Sequence, residues 1–141
     1  LSLTQQDFRY GTDHPPFIKS FAALPLLSSN LQLPENYSEL MEKPWPVLGK
    51  RFLFQPQNNV ERIIFLARLP IVFMSILLGF YVFLWSKNLY GNKAGILALI
   101  LYVFSPNILA HSRLVTTDLG SACFIFVACY YYRAYMIATS F

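Results

Sequence analysis

Three apolar stretches dominate the second half of the chain. Leu69 to Ser86 (LPIVFMSILLGFYVFLWS) is a run of 18 residues without Asp, Glu, Lys or Arg, and Ala94 to Ser112 is another of 19. Leu119 to Tyr132 adds 14 more, and beyond the single Arg133 the apolar character continues to Phe141. About 20 apolar residues cross a ~30 Å hydrocarbon core at ~1.5 Å per residue. The pattern therefore predicts three transmembrane helices, at about 67–87, 94–111 and 115–138. Pro106 and Asn107 lie inside the second, so its outer end is expected to be irregular. Irregular backbone at membrane depth is tolerated only where protein or water covers it. A secretory signal peptide would be N-terminal and shorter.

The first half reads differently. Residues 1–62 hold six of the seven acids and most of the nine prolines, with turn signals at Tyr10-Gly11, Pro15-Pro16 and Gln57-Asn58-Asn59. Its one apolar stretch, Phe17 to Leu33, is interrupted by Pro25 and by Ser28-Ser29-Asn30, too broken to span a bilayer. A short helix beginning at Pro15 or Pro16, lying in the interface with Phe17, Phe21, Leu24 and Leu27 toward lipid, fits it better. Trp45 and its flanking prolines suggest a second interfacial stretch. The expected architecture is an all-α, polytopic membrane protein: an external segment, residues 1–65, with juxtamembrane helices, then a membrane domain, residues 66–141.

Composition agrees. The chain has 141 residues, of which 55% are hydrophobic and 13% charged, against roughly 25% charged in soluble domains. Disorder and nucleic-acid binding are excluded on that ground: the net charge of +4 is spread along the chain and forms no basic patch. Cys123 and Cys129 make no disulfide framework and no zinc spacing. Six apart on a helix, they fall on different faces and read as small packing residues.

Charge also sets the topology. No acid occurs between Arg62 and Asp118. With residues 1–65 on one side, the Lys87–Lys93 link and Arg133 lie on the other, and three basic residues without an acid mark the cytoplasmic side of short loops. Residues 1–65 are then external, and the protein is an integral, multi-pass membrane protein of the kind found in a bacterial inner membrane. Tyr130-Tyr131-Tyr132 beside Arg133 fits an aromatic belt at the inner interface. Asp13 and His14 fall on the external side, as do His111, Arg113 and Asp118 in the turn between the second and third spans. A carboxylate at the mouth of a membrane helix is costly unless paired, hydrated or in use.

These polar residues sit in recognisable surroundings. Asp13-His14-Pro15-Pro16-Phe17-Ile18-Lys19, running into Ser20 to Leu27, resembles the acid-His-Pro-Pro-Leu-x-Lys segment of GT-C glycosyltransferases. The similarity is to bacterial relatives of the protein O-mannosyltransferases and of the lipid A aminoarabinose transferases. Ala67-Arg68-Leu69-Pro70, Tyr90-Gly91, Phe104-Ser105-Pro106-Asn107-Ile108-Leu109-Ala110-His111 and Thr116-Thr117-Asp118 follow in the family's order.

The resemblance implies a membrane enzyme that moves a sugar from a polyprenyl-phosphate carrier to a protein, lipid or glycan acceptor at the outer face. It implies catalytic roles for Asp13, His14 and Asp118. Lys19, His111 and Arg113 are candidates for contact with substrate phosphate. Asp13 and His14 would be the ligands of a divalent metal ion, should the reaction use one. The family's main acid, usually an Asp-Glu pair after a first transmembrane helix, is expected upstream of Leu1, and the chain reads as an N-terminal fragment without that helix. Its implied partners are the lipid bilayer, the lipid-linked sugar and other subunits of a membrane complex, with no nucleic acid.

Plainer readings stand beside these. Asp13-His14-Pro15-Pro16 is also a turn followed by a helix cap, and Asp118 or Thr117 suits the start of the third span, where a carboxylate favours the helix dipole. Lys19, Arg68 and Arg113 suit interfacial anchors whose stems lie along apolar surface. A noncatalytic subunit packed in a larger membrane complex is the alternative function. A transporter fragment has only the Pro-interrupted span in its favour.

Overall fold

A computed structural model describes residues 16–29, 31–32, 34 and 45–139. Among them every regular element is helical. The chain divides into two compact units, residues 1–70 and 71–141.

In the first unit, α1 (Pro16–Ala23) passes directly into a 3-10 turn over Leu24–Ser28. Pro16 suits a first helical position because its missing N–H would have no partner there. Pro25 removes the donor that the Phe21 carbonyl needs, so α1 cannot continue as an α-helix. The Ser28 hydroxyl donates to the Pro25 carbonyl at 2.9 Å, and the Ser29 amide to Leu26 at 3.0 Å, closing the turn. Phe17, Leu24 and Leu27 are exposed, whereas Phe21 is half-buried with its ring stacked against Phe17. Ile18 and Ala22, four apart, form the buried stripe of α1.

Helix α2 (Trp45–Leu53) carries Lys50 and Arg51 in its last turn, where cations complement the exposed carbonyls. The loop that follows is organised by Asn58, whose side chain is buried. Its Oδ1 accepts the Gln32 amide at 3.0 Å, and its Nδ2 donates to the carbonyls of Gln32 at 3.0 Å and of Phe52 at 2.8 Å. One side chain thus closes three backbone groups that would otherwise lack partners. Asn59 then caps the next helix, its Oδ1 accepting the Arg62 amide at 3.0 Å.

That helix, α3 (Val60–Tyr90), has 31 residues and is therefore about 46 Å long. It contains the first expected span and extends it at both ends. Pro70 sits inside it and leaves the Leu66 carbonyl without its usual donor.

In the second unit, one residue joins α3 to α4 (Asn92–Val103): Gly91, at φ 88° and ψ 177°, a conformation nearly confined to glycine. Two other glycines let the helices approach. A Cβ on Gly79 would lie 2.9 Å from the Tyr102 ring, and one on Gly95 would lie 3.1 Å from Phe83 and from the Lys87 Cβ. The seam carries its own polar tie, the Tyr102 hydroxyl donating to the Ser75 carbonyl at 2.7 Å with the Ser75 hydroxyl 3.2 Å away.

The second expected span, 94–111, is two helices. Helix α4 ends at Val103 because Ser105, which precedes Pro106, is extended (φ −67°, ψ 121°). Pro106 then opens α5 (Pro106–His111). The 12 residues of α4 reach only ~18 Å. The third expected span is α6 (Thr117–Thr139), with Leu119, Gly120 and Cys123 buried. By length and composition, α3 and α6 are the two helices among the described residues able to cross a bilayer.

Toward its C-terminal end α6 meets α3 through rings. Trp85 packs edge-on against Phe126 with centroids 4.9 Å apart, and Tyr81 lies 5.3 Å from Tyr130 and 5.9 Å from Tyr131. The Tyr81 and Tyr131 hydroxyls are 2.9 Å apart, and the Asn88 amide donates to the Tyr130 hydroxyl at 3.1 Å. Edge-to-face rings gain about 0.5–1.5 kcal/mol per pair beyond their buried area.

Candidate functional site

The break between α4 and α6 makes a corner, and the corner collects polar side chains. Helix α5 brings His111 to its last position, and the Ser112 amide donates back to Ile108 at 2.8 Å. The chain then turns through Arg113 to Thr116, fixed by the Leu114 amide on the His111 carbonyl at 3.2 Å and the Thr116 amide on Leu114 at 2.9 Å. This turn folds the start of α6 back toward α5.

His111 Nδ1 consequently lies 3.3 Å from the Thr116 hydroxyl and 3.5 Å from Asp118 Oδ2. Both side chains are exposed: that of His111 by 40% and that of Asp118 by 66%. Asp118 stands in the first turn of α6, where the helix dipole favours a negative charge. Its carboxylate is turned toward the imidazole as well, so helix-start and cluster roles coincide. With the proton on Nδ1, the imidazole faces two oxygens and keeps a lone pair on Nε2. A carboxylate sets up a histidine for proton transfer in this way.

A cavity of about 410 Å³ adjoins the corner. Gly79, Phe80 and Leu99 line it, with Ser75, Tyr102 and Ser112 supplying its few polar groups. Ser112 follows His111 directly, so the apolar cavity and the polar corner share a wall.

The sequence had placed His111, Arg113 and Asp118 in one turn, and the fold brings the His111 and Asp118 side chains within 3.5 Å of each other. Arg113, two residues on from His111, is exposed in the same turn. Lys19 is exposed on α1, in the other unit. Asp13 and His14 lie outside the described residues. Among the described residues, no three His, Cys, Asp or Glu side chains gather where a metal ion could be held. Thr116 is the member of the corner that sequence reasoning left without a role. Only its place in Thr116-Thr117-Asp118 hinted at one.

The sequence profile of the dolichyl-phosphate-mannose-protein mannosyltransferases matches residues 60–140, more than half of the chain. The chain belongs to this family. It is a family of membrane glycosyltransferases of the GT-C type, which accounts for the apolar α3 and α6 in an integral membrane protein. The mannosyltransferase match contains the whole corner, His111 to Asp118, and the cavity beside it, while Asp13-His14-Pro15-Pro16 and Lys19 precede it. Neither the curated proteins nor the solved structures yield a match to the chain.

Proposed function

We propose that this protein transfers a sugar from a polyprenyl-phosphate carrier to an acceptor hydroxyl on a protein, lipid or glycan at the outer face of the membrane, and that the His111–Asp118 corner belongs to its reaction site. The observation that carries the reading is the 3.5 Å approach of His111 to Asp118 beside an apolar cavity, within the segment that matches the family. An apolar cavity suits the hydrocarbon of a lipid carrier, and a polar corner suits its phosphate and sugar.

The chemistry assigns roles. The acceptor oxygen attacks the anomeric carbon while the bond from that carbon to the phosphate oxygen breaks. The bonding pair leaves on the polyprenyl phosphate, and the hydroxyl proton passes to a carboxylate. Asp118 is the single carboxylate of residues 71–141, and a positioned base contributes about 10²–10⁴-fold. Arg113 supplies donors for the charge that grows on the departing phosphate, and His111 holds the Asp118 carboxylate in position. Lys87, Lys93 and Arg133 support the outer face, since they favour the cytoplasmic side at the opposite end of the helices.

The test uses membranes containing the full-length protein and radiolabelled polyprenyl-phosphate mannose, the sugar in the family's name, with label followed into protein, lipid and glycan fractions. Asp118→Asn is expected to lower transfer by roughly 10²–10³-fold with unchanged membrane insertion. Wild-type transfer by that variant overturns the assignment of the corner.

A further inference from the structure

Residues 71–141 carry four basic residues and a single acid. Asp118 and Arg113 belong to the corner. The other three cations, Lys87, Lys93 and Arg133, gather at the far end of the same helices. The one-residue turn at Gly91 sets the last turn of α3 against the first turn of α4. The Lys87 stem lies against Gly95, two residues beyond Lys93. Helix α6 arrives beside them: it starts just after Ser112, which lines a cavity with Ser75 and Gly79, and by Tyr130 it has reached Asn88, so α3 and α6 advance in the same direction. Arg133, one turn past Tyr130, therefore comes level with the end of α3.

Lys87 and Lys93 are exposed and Arg133 is half-buried. The Lys87 ammonium stands 5.8 Å from the centre of the Phe83 ring, so its stem follows apolar surface while its charge stays at the rim. Tyr130 places a phenol group beside Asn88, next to Lys87 in the last turn of α3, where aromatic rings favour a lipid headgroup region.

We propose that this end of the bundle binds the headgroup of an anionic phospholipid. The lysine ammonium groups and the Arg133 guanidinium would surround the phosphate, with the Tyr130 hydroxyl as a further donor. Basic groups at one end of membrane helices hold anionic headgroups in this way, and a guanidinium pairs with two phosphate oxygens at once. A zwitterionic headgroup would bring its own cation among three others that have no acid beside them. This site stands on the charge distribution and does not depend on the transfer reaction.

Native mass spectrometry of the purified full-length protein, released from micelles supplied with equal phosphatidylglycerol and phosphatidylcholine, tests it. The wild-type protein should retain phosphatidylglycerol preferentially. Lys87→Gln with Lys93→Gln should reduce that retention by about fivefold for each charge removed. The charge-matched pair Lys50→Gln and Arg51→Gln on α2 should leave it unchanged. Equal retention of both lipids by the wild-type protein overturns the site whether or not the variants fold. An equal loss in the α2 pair reduces the effect to net charge and also overturns it, as does displacement of the lipid by millimolar inorganic phosphate.

Discussion

The α3–α4 seam and the α5–α6 corner lie within one compact unit and are built to opposite rules. Along the seam, glycines at 79 and 95 bring the helices so close that a single added carbon would meet a ring. Tyr102 spans the contact with a 2.7 Å hydrogen bond to a backbone carbonyl. At the corner the helix is interrupted, the side chains are exposed, and His111 keeps 3.3 and 3.5 Å from its neighbours. Short contacts with little open space hold helices in register. Longer contacts between exposed groups leave room for a substrate atom, and polar contacts in an unliganded site often tighten only when substrate binds. Disturbing the seam should therefore cost stability, and disturbing the corner should cost turnover.

The largest effect expected is the loss of transfer in Asp118→Asn, which should leave the melting temperature in detergent nearly unchanged, since exposed substitutions usually stay within about 0.5 kcal/mol. A lower melting temperature with normal turnover would reverse the contrast. His111→Ala should reduce transfer less, on the order of 10–100-fold, because it removes a partner of the carboxylate and leaves the carboxylate in place. Equal losses in the two variants would mean that the pair acts as one unit.

The seam gives the complementary readings. Gly79→Leu drives a side chain into the Tyr102 ring and should destabilise by about 1–3 kcal/mol, seen as a lower melting temperature. Leucine is the informative replacement, because alanine would recover ~1 kcal/mol of helix propensity against its smaller clash. Tyr102→Phe is the mildest change. Interhelical hydrogen bonds within membranes average about 0.6 kcal/mol, so the melting temperature should fall slightly and transfer should persist. A large loss of transfer in Tyr102→Phe would move that hydroxyl out of the seam and into the reaction site, since it also lines the cavity.

Much of this was legible in the residues. Long runs without charge identify α3 and α6 because a bilayer sets a length that few soluble helices need. The same counting joined 94–111 into one span, since run length is blind to the extended backbone imposed on Ser105 by Pro106. Pro106 was visible as an irregularity, but where α4 stops depends on backbone sterics and not on hydropathy. At the corner, His111 and Asp118 were recognisable as polar groups in apolar surroundings. Their pairing was not, because it depends on the turn from Ser112 to Thr116. The Asn58 clasp was hidden for a related reason: its partner Gln32 is 26 residues away, and nothing local marks a side chain that closes a distant backbone group.

Gly91 has a consequence for how the chain enters the bilayer. Twelve apolar residues are a poor candidate for independent insertion, and α4 has no more before its break. A single residue tethers it to α3, leaving no slack for the two to partition apart. Wherever α3 goes, α4 can follow only as the short leg of a helical hairpin.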